Sequence, residues 1–475
     1  MKKILLINTN TEKAPYPVPP LGLCMLASRL EDQFEVKIYD GVFDEGRNLV
    51  PVVQQFNPDF IGFSIRNIDD TVQERTVFYM DGILEKFIRP VQQVTTVPLI
   101  LGGSGFSIFP GELMKLTGAG YGITGEAEEL LPVLLSRIIL QQDLSDLPNV
   151  ITAETMKIKG SRQESFCTPS DLRFPEIDRW IDFNPYMARG VYSVQTKRGC
   201  SHGCIYCTYP LIEGRKFRIR NPAGIADEIE QAHKRLGYVT FEFVDSTFND
   251  PSGHAEAICR EIIKKNIRVR LRTMGMNPRH TSAGLFDLMI QAGFTQIDAT
   301  PDSASPRMLK NLDKGFTRAE IEKMAVLIAK FNLPTMWFFL FGGPGEDAGT
   351  FRETLDFIDN FINPEDLVYM NSGLRIYPGT PLYTLAVKEA RITAGQSVFQ
   401  PAAFYCSAGI AKTELDRLIL DAALLRPNCL SAAETAPPPA MIAAANEFRK
   451  NSNTTEPMFR TLLRIRKQWR TEGKL

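Results

Sequence analysis

The sequence predicts an α/β chain: a doubly wound parallel sheet, then a partial (β/α)6 barrel, then a small helical C-terminal region. Three observations carry this reading. Short apolar runs alternate with helix-period stretches through residues 1–140, and the alternation returns over 190–388. Such βα alternation marks parallel sheets covered by helices. Between them, residues 141–189 lose the period and carry Pro148, Pro169, Pro175 and Pro185, which reads as a linker. At 475 residues the chain is also longer than one core usually spans.

In the first domain the expected strands are Lys3–Asn8, Phe34–Asp40, Phe60–Ser64, Pro98–Gly102 and Tyr121–Thr124. Helices are expected over Leu21–Glu31, Asp69–Phe87 and Glu126–Leu140. The strands end in small or polar residues, where open α/β sheets bind ligands. The second domain offers strands Val191–Thr196, Val239–Val244, Arg268–Arg272, Gln296–Thr300, Thr335–Phe341 and Val368–Ile376. Helical stretches separate them: Pro222–Leu236, Ala255–Lys265, Ala283–Ala292, Arg318–Phe331 and Thr350–Asn360. A parallel barrel gathers its functional groups at the carboxyl ends of its strands. Residues 389–475 read as helical, broken at Pro437-Pro-Pro439. The basic amphipathic tail Phe459–Arg470 can lie on a membrane surface, but packing of its apolar face on the domain is the expectation.

Formal charge is −1 and apolar residues make up 44%. Nothing in that balance points to nucleic acid. No apolar run reaches the roughly 18–20 residues that span a bilayer. The apolar part of the N-terminus, Ile4 to Ile7, is too short for a secretion signal. The eight cysteines are scattered singly apart from one cluster, which suits a reducing cytoplasm rather than a disulfide framework.

That cluster is Cys200-Ser-His-Gly-Cys204-Ile-Tyr-Cys207, directly after the first strand of the second domain. Thiolates suit zinc, copper(I) or an iron–sulfur cluster. Structural metal sites usually take four protein ligands. Three, with no obvious fourth, suggest a cluster with one iron free for something else; a zinc knuckle is the competing reading. His202, inside the loop, is expected to be a hydrogen-bonding residue rather than a ligand. Cys406 and Cys429 either approach the site or serve as small buried hydrophobes.

A C-x3-C-x2-C loop after the first strand of a parallel barrel, with Tyr206 before the last cysteine, resembles the radical S-adenosylmethionine (SAM) superfamily. The resemblance implies that Cys200, Cys204 and Cys207 hold a [4Fe–4S] cluster whose open iron takes SAM. It implies SAM contacts at Tyr206, Asp245, Ser246, Arg272, Asp302, Ser303, Phe341 and Gly342. Asp302-Ser-Ala-Ser305 departs from the Glu-Ser-Gly-Ser of relatives, and an Asx-type cap is the rival role for Asp245. The strand end holding Met336, Phe338, Phe339 and Phe341 would wall a dry cavity or simply pack the core, and Arg272 has a nearby acid as its rival partner.

The first domain, with Pro19-Pro-Leu-Gly-Leu23 and Leu101-Gly-Gly-Ser-Gly105 after strands, is similar to the Rossmann-like cobalamin (B12)-binding domains fused to such barrels. That likeness implies cobalamin contacts at Ser64, Arg66, Asn67, Gly102, Gly103, Ser104, Gly125 and Glu126. Arg66 would sit under the corrin or pair with Asp69 or Asp70. All four histidines, at 202, 233, 254 and 280, lie outside this domain, so it offers no imidazole to cobalt.

The family reading is a cobalamin-dependent radical SAM enzyme, a C-methyltransferase that acts on an unactivated carbon through a 5′-deoxyadenosyl radical and methylcobalamin. The alternatives are a radical SAM enzyme of another reaction (cyclisation, rearrangement or carbon–carbon coupling) and a non-catalytic cobalamin or metal sensor. Expected partners are a small-molecule, lipid or peptide substrate and a one-electron donor such as flavodoxin or ferredoxin.

Overall fold

The computed structural model describes residues 1–14, 16–153, 174–187, 190–434, 437–452, 454 and 456–474. Cys167 and Pro169 lie outside the described residues.

The first sheet has six strands: β1 (Lys2–Asn8), β2 (Phe34–Asp40), β3 (Phe60–Ser64), β4 (Leu99–Gly102), β5 (Tyr121–Ile123) and β6 (Val150–Thr152). Their order is β2-β1-β3-β4-β5-β6. Parallel neighbours flank β1 on both sides, so its Ile4–Ile7 run is entirely buried. A continuous apolar run is what a doubly covered parallel strand requires. The strand order reverses between β1 and β3, leaving a crevice at their carboxyl ends. β6 pairs antiparallel with β5, so this domain reaches past residue 140, the boundary drawn from the sequence. Three residues after the left-handed Asn149 give no readable period.

The expected helix Asp69–Phe87 is not continuous. Asp69 and Asp70 accept from the backbone N–H groups of Thr71 and Val72, and Thr71 has φ +57°. These local side-chain bonds hold the backbone out of the helix, and the α-helix begins at Met80.

The second sheet has seven strands: β7 (Tyr192–Val194), β8 (Thr240–Phe243), β9 (Arg270–Met276), β10 (Phe294–Asp302), β11 (Thr335–Phe341), β12 (Leu367–Ser372) and β13 (Cys429–Ser431). They run in the order β13-β12-β11-β10-β9-β8-β7, all parallel. The sequence predicted six. β13 is contributed by the C-terminal region and pairs Val368 with Cys429; that cysteine is fully buried in the sheet, away from the cysteine loop. Cys406 also has another role, its thiol lying 3.1 Å from Gln73 Oε1.

Along β11 the residues alternate. Trp337, Phe339 and Phe341 are buried against helices, whereas Met336, Phe338 and Leu340 are half-buried on the other face. This corrects the expected cavity wall: Phe339 and Phe341 pack outward, with Phe341 4.8 Å from Phe351.

The basic tail forms the helix Met458–Thr471, which buries Phe459, Thr461 and Ile465. It joins the helix Pro439–Ser452 through Met441, Ala445 and Ile465. Arg460 pairs with the buried Asp366 at 2.8 Å, and Asp366 also accepts from the N–H of Thr335 at the start of β11. Packing on the domain therefore uses both the apolar face and one of the arginines. No helix of the described residues is long and apolar enough to cross a membrane. Arg460→Ala leaves Asp366 buried without its cation and should lower unfolding stability by about 3 kcal/mol, measured by urea denaturation.

Candidate active site

The cysteine loop leaves β7 and turns back under tight constraint. Gly199 has φ +87°, and a Cβ there would lie 2.1 Å from the Lys216 carbonyl oxygen. Cys200 N–H donates to Gly214 O at 3.0 Å and Ile205 N–H to Leu312 O at 3.2 Å. Burial raises all three thiols above their ordinary value, Cys207 to about 12. Cys204 is raised further by Cys200, and Cys207 by both. The protein alone thus keeps the three thiols protonated, and a cationic cluster would favour their thiolate form.

Among the described residues, no three Cys, His, Asp or Glu side chains converge on a single-ion site. Thiolates around one zinc lie about 2.3 Å from the metal and correspondingly close together. The corners of an iron–sulfur cube hold their thiolates farther apart. Three soft thiol donors on one short loop, Cys200 buried and Cys204 and Cys207 half-buried, suit iron–sulfur chemistry. His202 serves the loop: its Nε2 lies 2.8 Å from Asp250 Oδ2 and 3.0 Å from Asn277 Nδ2.

Beside the cysteines sits a buried knot. The Tyr206 hydroxyl donates to Asp302, whose Oδ2 also takes Lys314 Nζ at 2.6 Å. Burial alone would push Lys314 down, but Asp302 and then Cys204 hold it above its ordinary value. Asp302 reaches this position with φ +62°, unusual for a residue with a Cβ. Lys314 was not foreseen; a lone lysine in a loop carries no sequence signal.

Several expected SAM contacts are engaged elsewhere. Asp245 accepts from the N–H of Thr196 at 2.7 Å and pairs with Lys197 at 3.1 Å, both side chains fully buried. It ties β8 to the entry of the cysteine loop, so its charge is already matched. Arg272 pairs with Glu242 at 2.6 Å. Ser303 turns into the wall, its Oγ 3.1 Å from Thr354 Oγ1. Ser246 stays at the site: its Oγ donates to Gly199 O at 3.0 Å and lies against Cys200. Gly342, at φ +88°, brings backbone to the end of β11, where a Cβ would lie 3.1 Å from Leu415.

The second site is a cleft of about 250 Å³ at the carboxyl ends of β1, β3, β4 and β5. Of the residues named for cobalamin, Ser64, Gly102, Gly103, Ser104, Gly125 and Glu126 line it. Leu6, Leu23, Ile100 and Leu131 give it apolar walls. A Cβ at Gly103 would sit 2.6 Å from Ile65 O, so only glycine leaves the backbone this close. Arg66 and Asn67 do not line the cleft. Arg66 is exposed, and its expected partners are taken: Asp69 pairs with Arg375 at 3.0 Å and Asp70 with Arg75 at 3.8 Å. Its charge is felt instead by Tyr209 and Glu242.

The two sites meet at Arg198, two residues before Cys200. Its guanidinium is buried, pairs with Glu128 and lies 3.3 Å from Glu126. Arg198 and Gln195 also line the first-domain cleft. Glu126, expected at the corrin, is held by Arg198 and Arg218.

A half-open parallel barrel with three cysteines after its first strand defines a class, the radical SAM enzymes. The model of the radical SAM superfamily matches residues 194–358, and that of the B12 binding domain matches residues 7–135. The fold is similar to that of a radical SAM methyltransferase, TsrM, from Kitasatospora setae, solved with cobalamin and a [4Fe-4S] cluster. That likeness has a TM-score of 0.79 at 20% identity, over 100% of both chains. The cobalamin-dependent SAM radical enzyme OxsB aligns with a TM-score of 0.74 at 16% identity, over 100% of this chain and 71% of that one. An uncharacterised methyltransferase of Pyrococcus horikoshii is 24% identical, over 81% of this chain and 83% of the relative. A tryptophan 2-C-methyltransferase of Streptomyces laurentii is 25% identical, over 74% of this chain and 69% of the relative. The chain belongs to the cobalamin-binding radical SAM family. Its cofactors are a [4Fe–4S] cluster, SAM and cobalamin.

Cys204→Ala should abolish stoichiometric iron binding and SAM cleavage; full iron content in the variant would reject the ligand assignment. A second prediction concerns Asp298, buried in the barrel. Burial pushes its carboxyl up to about 6 from an ordinary 3.8, against Arg272 and Gln296, which lower it. The folded state then keeps this proton longer than the unfolded chain, so stability falls as pH rises from about 4 to about 6. Asp298→Asn should make the profile flatter across that window by about 2 kcal/mol, read by urea denaturation at each pH.

Proposed function

We propose that the protein is a cobalamin-dependent radical SAM C-methyltransferase that places a methyl group on an unactivated carbon of a small molecule. The observation that carries the proposal is the junction at Arg198. One buried side chain lines the first-domain cleft and stands two residues from the first cluster cysteine. Two cofactor sites so joined would stand beside one another. When bound, the cluster with SAM supplies hydrogen abstraction and the cobalamin supplies a transferable methyl group.

The chain's own residues hold and align. Cys200, Cys204 and Cys207 would hold the cluster. Lys314 keeps a positive charge beside two of them, and Asp302 keeps Lys314 in place. Tyr206, Ser246 and the backbone at Gly342 remain available for SAM; Asp245, Arg272, Ser303 and Phe341 serve the scaffold or the barrel wall. The Gly102–Ser104 and Gly125 backbone, with the apolar floor of the cleft, would receive part of the cobalamin. The first domain has no histidine, so no imidazole from it ligates cobalt. Misplacement of the substrate carbon by ~1 Å can cost ~100-fold in rate, which gives the rigid ion pairs their value.

The likeness to the tryptophan 2-C-methyltransferase supports a small-molecule substrate over a lipid or a peptide. The one-electron donor is a flavodoxin or ferredoxin, and the compartment the cytoplasm, where scattered thiols stay reduced. Anaerobic protein given SAM, dithionite and substrate should form both S-adenosylhomocysteine and 5′-deoxyadenosine, with an equimolar corrinoid. 5′-Deoxyadenosine alone would favour a non-methylating reaction, and neither product a sensor.

A further inference from the structure

The barrel lumen has two unlike walls. Ser193, Glu242, Arg272 and Gln296 stand abreast on β7, β8, β9 and β10, each in register with the next. Asp298 stands above Gln296, which donates to it at 3.2 Å. Facing this row is an apolar wall: Met336 and Phe338 of β11, with Phe338 5.8 Å from the ring of Tyr369 on β12. The walls touch where Gln296 Nε2 lies 3.3 Å from Met336 Sδ.

The polar wall is short of donors. Glu242 is 1% exposed, yet its Oε2 has no hydrogen-bond partner, and neither does Ser193 Oγ beside it. A buried unpaired acceptor costs on the order of 1–3 kcal/mol, more when charged. Its other oxygen, Oε1, is well served, by Arg272 at 2.6 Å and by the Tyr16 hydroxyl at 2.6 Å. Arg272 touches Glu242, its charge also reaches Asp298, and the charge of Arg66 reaches Glu242.

Tyr16 comes from the first domain, between β1 and the helix Leu21–Leu30. Its ring lies 3.7 Å from the Arg272 guanidinium carbon, and its hydroxyl donates to Glu242. A flat ring on a guanidinium with a donor on a carboxylate describes a ligand as well as a side chain.

We propose that the Glu242–Arg272 wall is the substrate's anchoring subsite, that Tyr16 fills it in the ligand-free protein, and that it takes an aromatic molecule bearing a cationic amine. The ammonium donates to the unpartnered Glu242 Oε2 and favours its charged form. The ring takes the place of Tyr16 against Arg272 and the Phe338–Tyr369 wall. The proposal rests on the reading of the barrel as the reaction chamber.

The test uses the reconstituted holoenzyme with SAM and three probes that share one ring: tryptamine, indole and indole-3-propionate. Calorimetric titration should rank tryptamine tighter than indole-3-propionate by about tenfold or more. Glu242→Gln should remove that preference while leaving SAM affinity unchanged. Tyr16→Ala should tighten tryptamine severalfold, since no ring need be displaced. Phe338→Ala, which leaves the polar wall intact, should weaken all three probes alike. Equal binding of the three, no binding of any, looser tryptamine in Tyr16→Ala, or a Glu242→Gln variant that loses SAM instead would each overturn the subsite. Wild-type enzyme that forms S-adenosylhomocysteine yet ranks the probes equally refutes the subsite and leaves the methyltransferase standing. Tryptamine preference without S-adenosylhomocysteine does the reverse.

Discussion

The architecture depends on one buried cation. Arg198 leaves the barrel's first strand, crosses to the first domain and meets Glu126 and Glu128 there. Unpaired, each of these groups would be costly to bury; together they tie the two sheets beside the cluster loop, alongside the Asp69–Arg375 pair and the Tyr186–Asp40 hydrogen bond. Removing one member of a buried pair typically costs 3–5 kcal/mol, far more than a surface pair contributes. The pair is also local to chemistry, because the next turn of chain after Arg198 carries Cys200. At this point domain docking and cluster-loop geometry share a constraint.

Charge elsewhere in the barrel follows the same economy. Asp245 with Lys197, and Asp302 with Lys314, are matched pairs with little exposure. Each brings a loop to a strand end and leaves no net charge for a ligand to answer. The row from Ser193 to Gln296 differs from these pairs in holding two buried atoms without a partner, Glu242 Oε2 and Ser193 Oγ.

The sequence was most legible where capping chemistry and period agreed. The helices Pro222–Leu236, Ala283–Ala292 and Arg318–Phe331 were read to the residue, and each starts behind a side-chain cap: Asn221, Ser282 or Thr317. β3 and β11 were equally plain, as unbroken apolar runs between breakers. Short elements were not legible: β6 and β13 are three residues each, and tertiary pairing rather than local pattern makes them strands. For the site, the cysteine spacing and the glycine-rich strand ends were visible. Which carboxylates were free was not, because Asp245 and its cation belong to different strands' ends and meet only in space. Arg198 and Glu242 did leave a trace, a charge next to the first cysteine and a charge between Phe241 and Phe243.

The placement of β13 has its own consequence. It closes the open flank of β12, yet it is made some sixty residues later along the chain. Until residue 431 leaves the ribosome, β12 presents a bare ladder of N–H and C=O groups, a surface prone to pair with another chain. The last tenth of the polypeptide thus shields the catalytic half from its own siblings during synthesis.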